Sequence, residues 1–156
     1  MRGRNPDTEL FLEILIVAVL TLVNGLLAMS ELAVVSSRPA RLKVLAAEGR
    51  RGANMALKLQ EDPGKFLSSV QIGITLVGVL SGAFSGATLG ERLGTTLAGA
   101  GIDSSVALPL GVGIVVIIIT YLSLIIGELV PKQIALRDPE RVASRVAPLM
   151  AFIASI

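Results

Sequence analysis

The segment from Val112 to Pro131 reads VGIVVIIITYLSLIIGELVP and contains a single charged side chain, Glu128. About 20 consecutive residues of this apolar character are enough for an α-helix to cross the hydrocarbon core of a bilayer. The chain as a whole is also unusually apolar, since 53% of its 156 residues are hydrophobic and its mean hydropathy is +0.77. These properties indicate a membrane protein and exclude an ordinary soluble domain of this size.

Two further apolar stretches complete the predicted fold, so that the three spans cover about residues 10–36, 66–86 and 106–130. The stretches at about 40–61 and 138–156 instead alternate apolar residues with Arg, Lys and Glu at helical spacing. That pattern predicts amphipathic helices at the membrane surface. We therefore predict an all-α membrane protein, one transmembrane domain with three transmembrane helices plus cytoplasmic amphipathic and juxtamembrane helices.

Glycine and proline predict where these helices are interrupted. Gly49 and Gly52 are expected to break the first amphipathic stretch near its middle, and the segment ending at Pro131 is expected to end the third span. The sequence after Gly86 becomes amphipathic, which predicts a segment lying at the outer interface, followed by a loop at 99–103.

Basic residues are unevenly distributed and predict the orientation. Seven of the 14 lie between Arg38 and Lys65, and four more lie between Lys132 and Arg145. Basic loops beside apolar spans face the cytoplasm and its anionic lipids, so the N-terminus is predicted outside and the C-terminus in the cytoplasm of a multi-pass cell-membrane protein. The lipid bilayer is therefore the expected partner of these basic blocks, and nucleic acid is not.

Cysteine and histidine are both missing from the sequence. Their absence excludes a zinc site, an iron–sulfur cluster, and a nucleophile of the Cys or Ser-His type. Any bound metal must have oxygen ligands, which suit hard cations such as Mg²⁺, Ca²⁺ and Na⁺.

Two carboxylates, Glu31 and Glu128, lie inside the predicted spans. A charged residue at the centre of a membrane helix costs roughly 2.5–3.5 kcal/mol or more. No Lys, Arg or His lies in the apolar stretch near Glu31, so a cation from outside or a proton is expected to compensate its charge.

Oxygen-bearing groups from all three spans are predicted at a similar depth in the inner half of the membrane. They are Asn24, Ser30 and Glu31 in the first span, Ser68, Ser69, Gln71 and Thr75 in the second, and Gly127 and Glu128 in the third. Pro131 has no N–H to donate to the carbonyl of Gly127, four residues earlier, which leaves this carbonyl free to bind a cation.

Simpler explanations exist for each of these residues. A serine in a membrane helix commonly donates a hydrogen bond to its own helix. Glu128 and Lys132 have the spacing of a helix-end ion pair, and Glu31 is a candidate for a protonated carboxyl. What favours a cation site is that every span contributes such groups at matching depth.

At these residues the chain resembles the transmembrane domain of the CNNM/CorC family of magnesium transporters. The matching pieces are Ser30-Glu-Leu-Ala, Pro39-Ala-Arg-Leu, Phe66-Leu-Ser-Ser-Val-Gln-Ile-Gly-Ile-Thr and Gly127-Glu-Leu-Val-Pro-Lys. The resemblance covers nearly the whole chain. The last two pieces are specific for the family when they occur together, and each alone is a weak signal.

The resemblance implies a homodimeric bundle with three spans per subunit that holds a dehydrated Mg²⁺ between its helices. It implies Mg²⁺ export in exchange for Na⁺, and a cytoplasmic pair of CBS domains in the full-length protein, outside this sequence. The ion ligands it implies are Asn24, Ser30, Ser69 and the carbonyl of Gly127, with charge supplied by Glu31 and Glu128, directly or through neighbouring groups.

We therefore expect a Mg²⁺ transporter domain and not an enzyme. The main alternative is a membrane scaffold or sensor that binds Mg²⁺ and regulates partner proteins without transporting it. A simple channel is distinguished from an exchanger by whether flux depends on a Na⁺ gradient. An intramembrane Ser-Lys hydrolase is disfavoured, because Lys65 and Lys132 lie at the predicted membrane edge.

Overall fold

The computed structural model describes residues 5–156, and these residues form helices with no strand among them. This confirms the predicted all-α class. Two π-helical segments, Gly86–Gly90 and Ile125–Leu129, interrupt the α-helices. The helices are α1 (Pro6–Ser36), α2 (Pro39–Ala47), α3 (Arg51–Glu61), α4 (Pro63–Ser85), α5 (Glu91–Gly99), α6 (Ser104–Leu124), α7 (Val130–Arg137) and α8 (Pro139–Ser155).

Three continuous helical rods are long and apolar enough to cross a membrane, as predicted. They are Pro6–Ser36 with 31 residues, Pro63–Gly99 with 37 and Ser104–Arg137 with 34. At 1.5 Å per residue each is longer than the roughly 30 Å hydrocarbon core, so their ends extend beyond it. The second and third rods are longer than the predicted spans because the helix continues through the π segments.

Two predicted interruptions are wrong. The third rod does not end at Pro131, because α7 continues directly from the second π segment and the Asn24 amide bonds the Gly127 carbonyl that the proline cannot bond. Gly52 does not break a helix either; it lies inside α3, where a Cβ atom would overlap the carbonyl of Ser144 on α8. The break between α2 and α3 comes at Gly49, whose positive φ of 89° ends α2.

Helix starts follow the sequence signals for an N-terminus. Proline occupies the first turn of α1, α2, α4 and α8, and Asp62, Asp103 and Asp138 precede α4, α6 and α8 as caps. The Ser105 backbone N–H and hydroxyl both donate hydrogen bonds to the Asp103 carboxylate, which lowers the pKa of Asp103.

One half of the molecule has a packed core of side chains. It is formed by α1, α2, α3, α4 and α8, and its fully buried members include Leu42, Phe66, Val70 and Met150. The break between α1 and α2 at 37–38 is stabilised by α3, because Gln60 Nε2 donates hydrogen bonds to the carbonyls of Val34 and Ser37 at 2.8 and 2.9 Å.

The other half is a helical hairpin in which α5 and the first π segment pack along α6. The hairpin has few large buried side chains and is held together by close backbone contact at glycine. A Cβ on Gly90 would come within 2.8 Å of Val112 Cα, and one on Gly94 within 2.8 Å of Leu108 Cα. Small residues permit this close approach in membranes, where the hydrophobic effect does not drive helices together.

Gly111 is the position in the hairpin least able to accept a side chain, since a Cβ there would overlap the backbone of Gly94. We expect Gly111→Ala to destabilise the chain by about 1–3 kcal/mol, the usual cost of overpacking. Gly113→Ala is the matched control, because no atom lies within 4 Å of its added Cβ. Dodecyl sulfate unfolding monitored by circular dichroism measures both, and equal stability of the two variants would contradict the packing described here.

Candidate functional site

A cavity of about 130 Å³ lies between the two halves of the molecule. Its walls come from α1, α4, α6 and the second π segment. The polar residues among them face the same space from three different rods. The lining residues are Leu20, Thr21, Asn24, Ile74, Val77, Gly78, Ser81, Gly82, Ile119, Thr120, Ser123, Leu124 and Glu128.

Beside the cavity, Asn24 of α1 meets the second π segment. Asn24 is buried, and its Nδ2 donates a hydrogen bond to the carbonyl of Gly127 at 3.1 Å. This carbonyl is available because Pro131 cannot donate to it. A Cβ on Gly127 would lie 3.2 Å from Asn24 Nδ2, so the glycine lets the two helices approach. The freed carbonyl predicted from Pro131 therefore binds a side chain of α1.

Two buried oxygens on lining residues accept or donate no hydrogen bond among the described residues. They are Asn24 Oδ1 and Ser81 Oγ, which belong to α1 and α4. Buried polar atoms in folded proteins are nearly always paired with protein, water or an ion. The two oxygens, together with the carboxylate of Glu128 on the same cavity, form a site suited to a cation or to water.

Thr21 and Ser123 close one side of this cavity. Their hydroxyl oxygens are 3.5 Å apart, and both residues also line an apolar groove of about 320 Å³ on the opposite side of the α1–α6 contact. These two hydroxyl residues thus line both the cavity and the apolar groove.

The structure brings together three of the six predicted ligands: Asn24, Gly127 and Glu128. It does not bring Ser30, Glu31 or Ser69 to this cavity. Ser30 is fully buried and donates to the Leu26 carbonyl at 2.6 Å, and Ser69 donates to the Lys65 carbonyl at 2.9 Å.

Helix geometry explains why Glu31 and Ser69 lie apart from the cavity. Glu31 is two turns from Asn24 on α1, about 10 Å along the axis. Ser69 precedes Ile74, the first α4 residue of the cavity, by five positions, which rotates it by about 140° away from that face. Ser68, Gln71 and Thr75 lie on another, exposed face of α4. Similar depth in the membrane therefore did not bring the predicted groups together.

Four polar residues of the cavity were not among the predicted ligands: Thr21, Ser81, Thr120 and Ser123. For three of the four, a signal exists in the sequence as helical spacing. Thr21 is three residues before Asn24, and Thr120 and Ser123 are seven and four residues before Gly127. Residues three, four and seven apart share a helix face, so each hydroxyl extends the face of a predicted residue.

Within residues 5–156, no three His, Cys, Asp or Glu side chains come together as a metal cluster would require. The cavity instead combines one carboxylate with neutral oxygens from hydroxyl and amide groups. Such a donor set can bind a hard cation that keeps some of its water, or a single ammonium group, and it contains no nucleophile–base pair.

Residues 14–156 match the family described as the cyclin M transmembrane N-terminal domain. The chain belongs to this family. It is 49% identical to UPF0053 protein sll0260 of Synechocystis sp. over 93% of its own length. It is also similar to two proteins named polyamine export protein, with 33% identity to that of Haemophilus influenzae over 92% of the chain and 35% to that of Escherichia coli K12 over 89%.

The chain spans about one third of the length of these relatives, 32%, 33% and 31% respectively. The family match confirms the resemblance identified from the sequence motifs. None of the relatives' names describes an enzyme, and two describe export, which indicates a membrane protein of transport type.

The Asn24–Gly127 hydrogen bond can be tested by a double-mutant cycle. We expect Asn24→Ala to cost about 1 kcal/mol of unfolding free energy, as for other side-chain hydrogen bonds between membrane helices. In the Pro131→Ala background the same change should cost clearly less, because the N–H of residue 131 is then able to bond the Gly127 carbonyl. Dodecyl sulfate unfolding measures all four proteins, and additive effects would show that Pro131 does not make this carbonyl available to Asn24.

Proposed function

We propose that this domain moves a cation across the membrane through the cavity between α1, α4 and the second π segment. The observation that carries the proposal is the pair of buried oxygens without hydrogen-bond partners, on Asn24 and Ser81, beside the carboxylate of Glu128. Both oxygens would coordinate a bound cation, and the cation would compensate the charge of Glu128. The family and the relatives named for export support a transport role over simple binding.

Mg²⁺ is the cargo we propose first. It prefers oxygen ligands, and it is commonly held by one or two carboxylates while it keeps several waters. The cavity volume of about 130 Å³ supports a partly hydrated ion, since one water needs only roughly 10–15 Å³ by this measure. This differs from the fully dehydrated ion that the family resemblance implied, and it follows from the presence of a single carboxylate in the cavity.

A polyamine is the second candidate cargo. The relatives from Haemophilus influenzae and Escherichia coli are named polyamine export protein. The cavity has apolar walls from Leu20, Ile74, Val77 and Ile119 beside the single carboxylate. A slender alkyl chain with a terminal ammonium would fit this combination, with the ammonium paired to Glu128.

We further propose that the domain acts as a homodimer in the cell membrane, with its basic loops in the cytoplasm and Na⁺ as the counter-ion. The exposed face of α4 supports the dimer, because it carries Gln71 and Thr75 among Ile72, Leu76 and Val79. An amide side chain facing lipid is costly, and a second copy would cover it. Cytoplasmic CBS domains in the full-length protein complete this proposal.

Transport through this cavity requires the two halves to move relative to each other. The first π segment connects α4 to α5, and the second connects α6 to α7. Such π segments are frequent at functional sites. Near the end of α1 opposite its basic loop, the hairpin is held by an ion pair. Arg92 of α5 donates to Glu13 at 2.8 and 3.1 Å and to Glu9 at 3.4 Å. We propose that this ion pair keeps the outer side closed.

Calorimetric titration of Mg²⁺ into the purified chain tests the site. We expect Asn24→Ala and Glu128→Gln each to weaken binding by at least about tenfold, because each removes a ligand oxygen or its charge. Ser69→Ala is the control and should leave the affinity within about twofold, because Ser69 does not line the cavity. Loss of binding in Ser69→Ala with retention in Asn24→Ala would instead place the site on the inner part of α4.

Flux assays in liposomes distinguish a transporter from a scaffold, and they distinguish Mg²⁺ from a polyamine as the cargo. We expect Mg²⁺ efflux that accelerates with an opposing Na⁺ gradient and is abolished in Glu128→Gln. Binding of Mg²⁺ without flux would support the scaffold or sensor alternative, and spermidine flux without Mg²⁺ flux would support the polyamine alternative. Mg²⁺ flux that ignores the Na⁺ gradient would indicate a channel.

The Arg92 ion pair is tested with a cysteine placed in the cavity, Ser81→Cys, in a chain that has no other cysteine. We expect Arg92→Gln to raise the rate at which an impermeant maleimide labels this cysteine from the N-terminal side by about two- to fivefold, since exposed ion pairs are of modest strength. Exchanging the charges, Arg92→Glu with Glu13→Arg, should restore slow labelling.

The matched control is Glu91→Gln, which removes an exposed charge next to Arg92. Equal labelling rates in Arg92→Gln and in the parent Ser81→Cys protein would refute the closing role of the ion pair. The same result would not contradict the proposed cation site, because labelling reports access to the cavity and not cation affinity.

A further inference from the structure

An open pocket of about 510 Å³ lies outside the cavity, where the ends of two membrane rods meet. It is formed by the beginning of α2, the end of α7 and the beginning of α8. It contains three arginines, and we call it the arginine pocket. Its lining residues are Arg41, Val44, Leu45, Arg137, Asp138, Glu140 and Arg141.

Two of the arginines stand where a helix disfavours them. Arg41 and Arg141 are each the third residue of their helix, after a proline at the first position. The N-terminus of a helix carries a partial positive charge, so cations there are unfavourable and anions are favourable. Three arginines and two helix N-termini outweigh the carboxylates of Asp138 and Glu140 in the same pocket, so its surface attracts anions.

The carboxylates of the pocket lie within ion-pair distance of two of the arginines but leave their side chains largely exposed. Glu140 is buried, accepts a hydrogen bond from the Arg38 backbone N–H at 3.1 Å, and lies 3.7 Å from Arg41, beyond hydrogen-bond distance. The Arg41 side chain remains 70% exposed, and the Arg141 side chain, paired with Asp138 at 3.2 Å, remains 63% exposed. Among residues 5–156, Arg137 has no carboxylate within ion-pair distance.

Glu140 also explains why the pocket has a defined shape. Its carboxylate belongs to α8 and its hydrogen-bond donor belongs to the residue before α2, so it joins the two helix N-termini. A carboxylate buried at a helix N-terminus is stabilised there by the helix dipole and fixes the position of Arg41 relative to Arg141. The arginines are thus parts of an organised site and not of a flexible basic tail.

We infer that the arginine pocket binds the phosphate of an anionic phospholipid from the cytoplasmic leaflet. In the orientation proposed above, on which this inference rests, the basic loops place this side of the domain at the cytoplasmic surface, where anionic lipids are concentrated. Planar guanidinium groups bind phosphate oxygens with two parallel hydrogen bonds. Val44 in the pocket and Leu136 next to Arg137 are 58% and 59% exposed, which provides apolar surface for the acyl chains beside the headgroup.

Native mass spectrometry of the purified chain in detergent tests this inference with dioleoyl phosphatidylglycerol and dioleoyl phosphatidylcholine as probes. We expect preferential retention of phosphatidylglycerol by the parent chain. Replacing Arg41, Arg137 and Arg141 together by Gln should weaken that retention by at least about tenfold, given the strong contribution of each basic residue to anionic-lipid binding.

The matched control replaces Arg50, Arg51 and Lys58 by Gln, which removes three exposed charges from the same side but outside the pocket. We expect this control to change retention by less than about twofold. Equal losses in the two triple variants would overturn the inference by showing that binding depends on general surface charge. Equal retention of the two lipids by the parent chain would also overturn it, because it would show no preference for the anionic headgroup.

Two further measurements address folding and the source of the phosphate. Arg137→Gln alone removes an arginine without an ion pair, so it should keep the fold while still lowering phosphatidylglycerol retention by about threefold; an unchanged retention would count against the pocket. Soluble glycerol 3-phosphate should fail to displace the lipid at millimolar concentration, and efficient displacement would assign the pocket to a soluble phosphate compound instead. None of these results depends on cation transport.

Discussion

The hydrogen bond between the Asn24 amide and the Gly127 carbonyl joins the two halves of the domain at the level of the cavity. It follows from a constraint of the bilayer, where a backbone carbonyl without a partner is too costly to leave exposed to lipid. Pro131 frees the carbonyl, the absence of a side chain at Gly127 admits α1, and Asn24 provides the donor. The same bond leaves Asn24 Oδ1 buried without a partner, so the element that holds the helices together also creates the demand for a cation or water.

The two halves of the domain are stabilised in different ways, and this difference bears on motion. The half built on α1, α3, α4 and α8 has interlocking side chains such as Phe66 and Met150. The hairpin of α5 and α6 depends on glycine contacts, and it meets α1 at a hydroxyl pair and at the Arg92 ion pair. Packed cores resist deformation, whereas the hydroxyl and ion-pair contacts between the hairpin and α1 can be exchanged at small cost. A half with an interlocked core beside a hairpin held by such contacts supports the relative motion of the two halves proposed above.

The region where α1, α2, α3 and α8 meet shows the same use of side chains to satisfy backbone groups at a helix break. Gln60 bonds the last carbonyls of α1 and Glu140 bonds the N–H that precedes α2, so the sharp turn at 37–38 is held by α3 and α8. The amphipathic helices are therefore integral to the fold, because they fix where the first membrane rod ends. They also bring Arg41 and Arg141 to one pocket, which connects the helix break to the lipid site proposed there.

The sequence by itself determined the helical class, the three apolar rods and the family, and it predicted Asn24, Gly127 and Glu128 as ligands and Pro131 as the residue that frees a carbonyl. These follow from composition, local periodicity and backbone chemistry, which act over short distances along the chain. Only the tertiary structure decided which polar groups meet. Ser69 and Glu31 have suitable chemistry and depth, but their rotation and height on α4 and α1 take them away from the cavity, while Ser81 and Ser123 face it. The continuation of the third rod past Pro131 was also decided by packing, because the π segment and the Asn24 amide replace the hydrogen bond that proline removes.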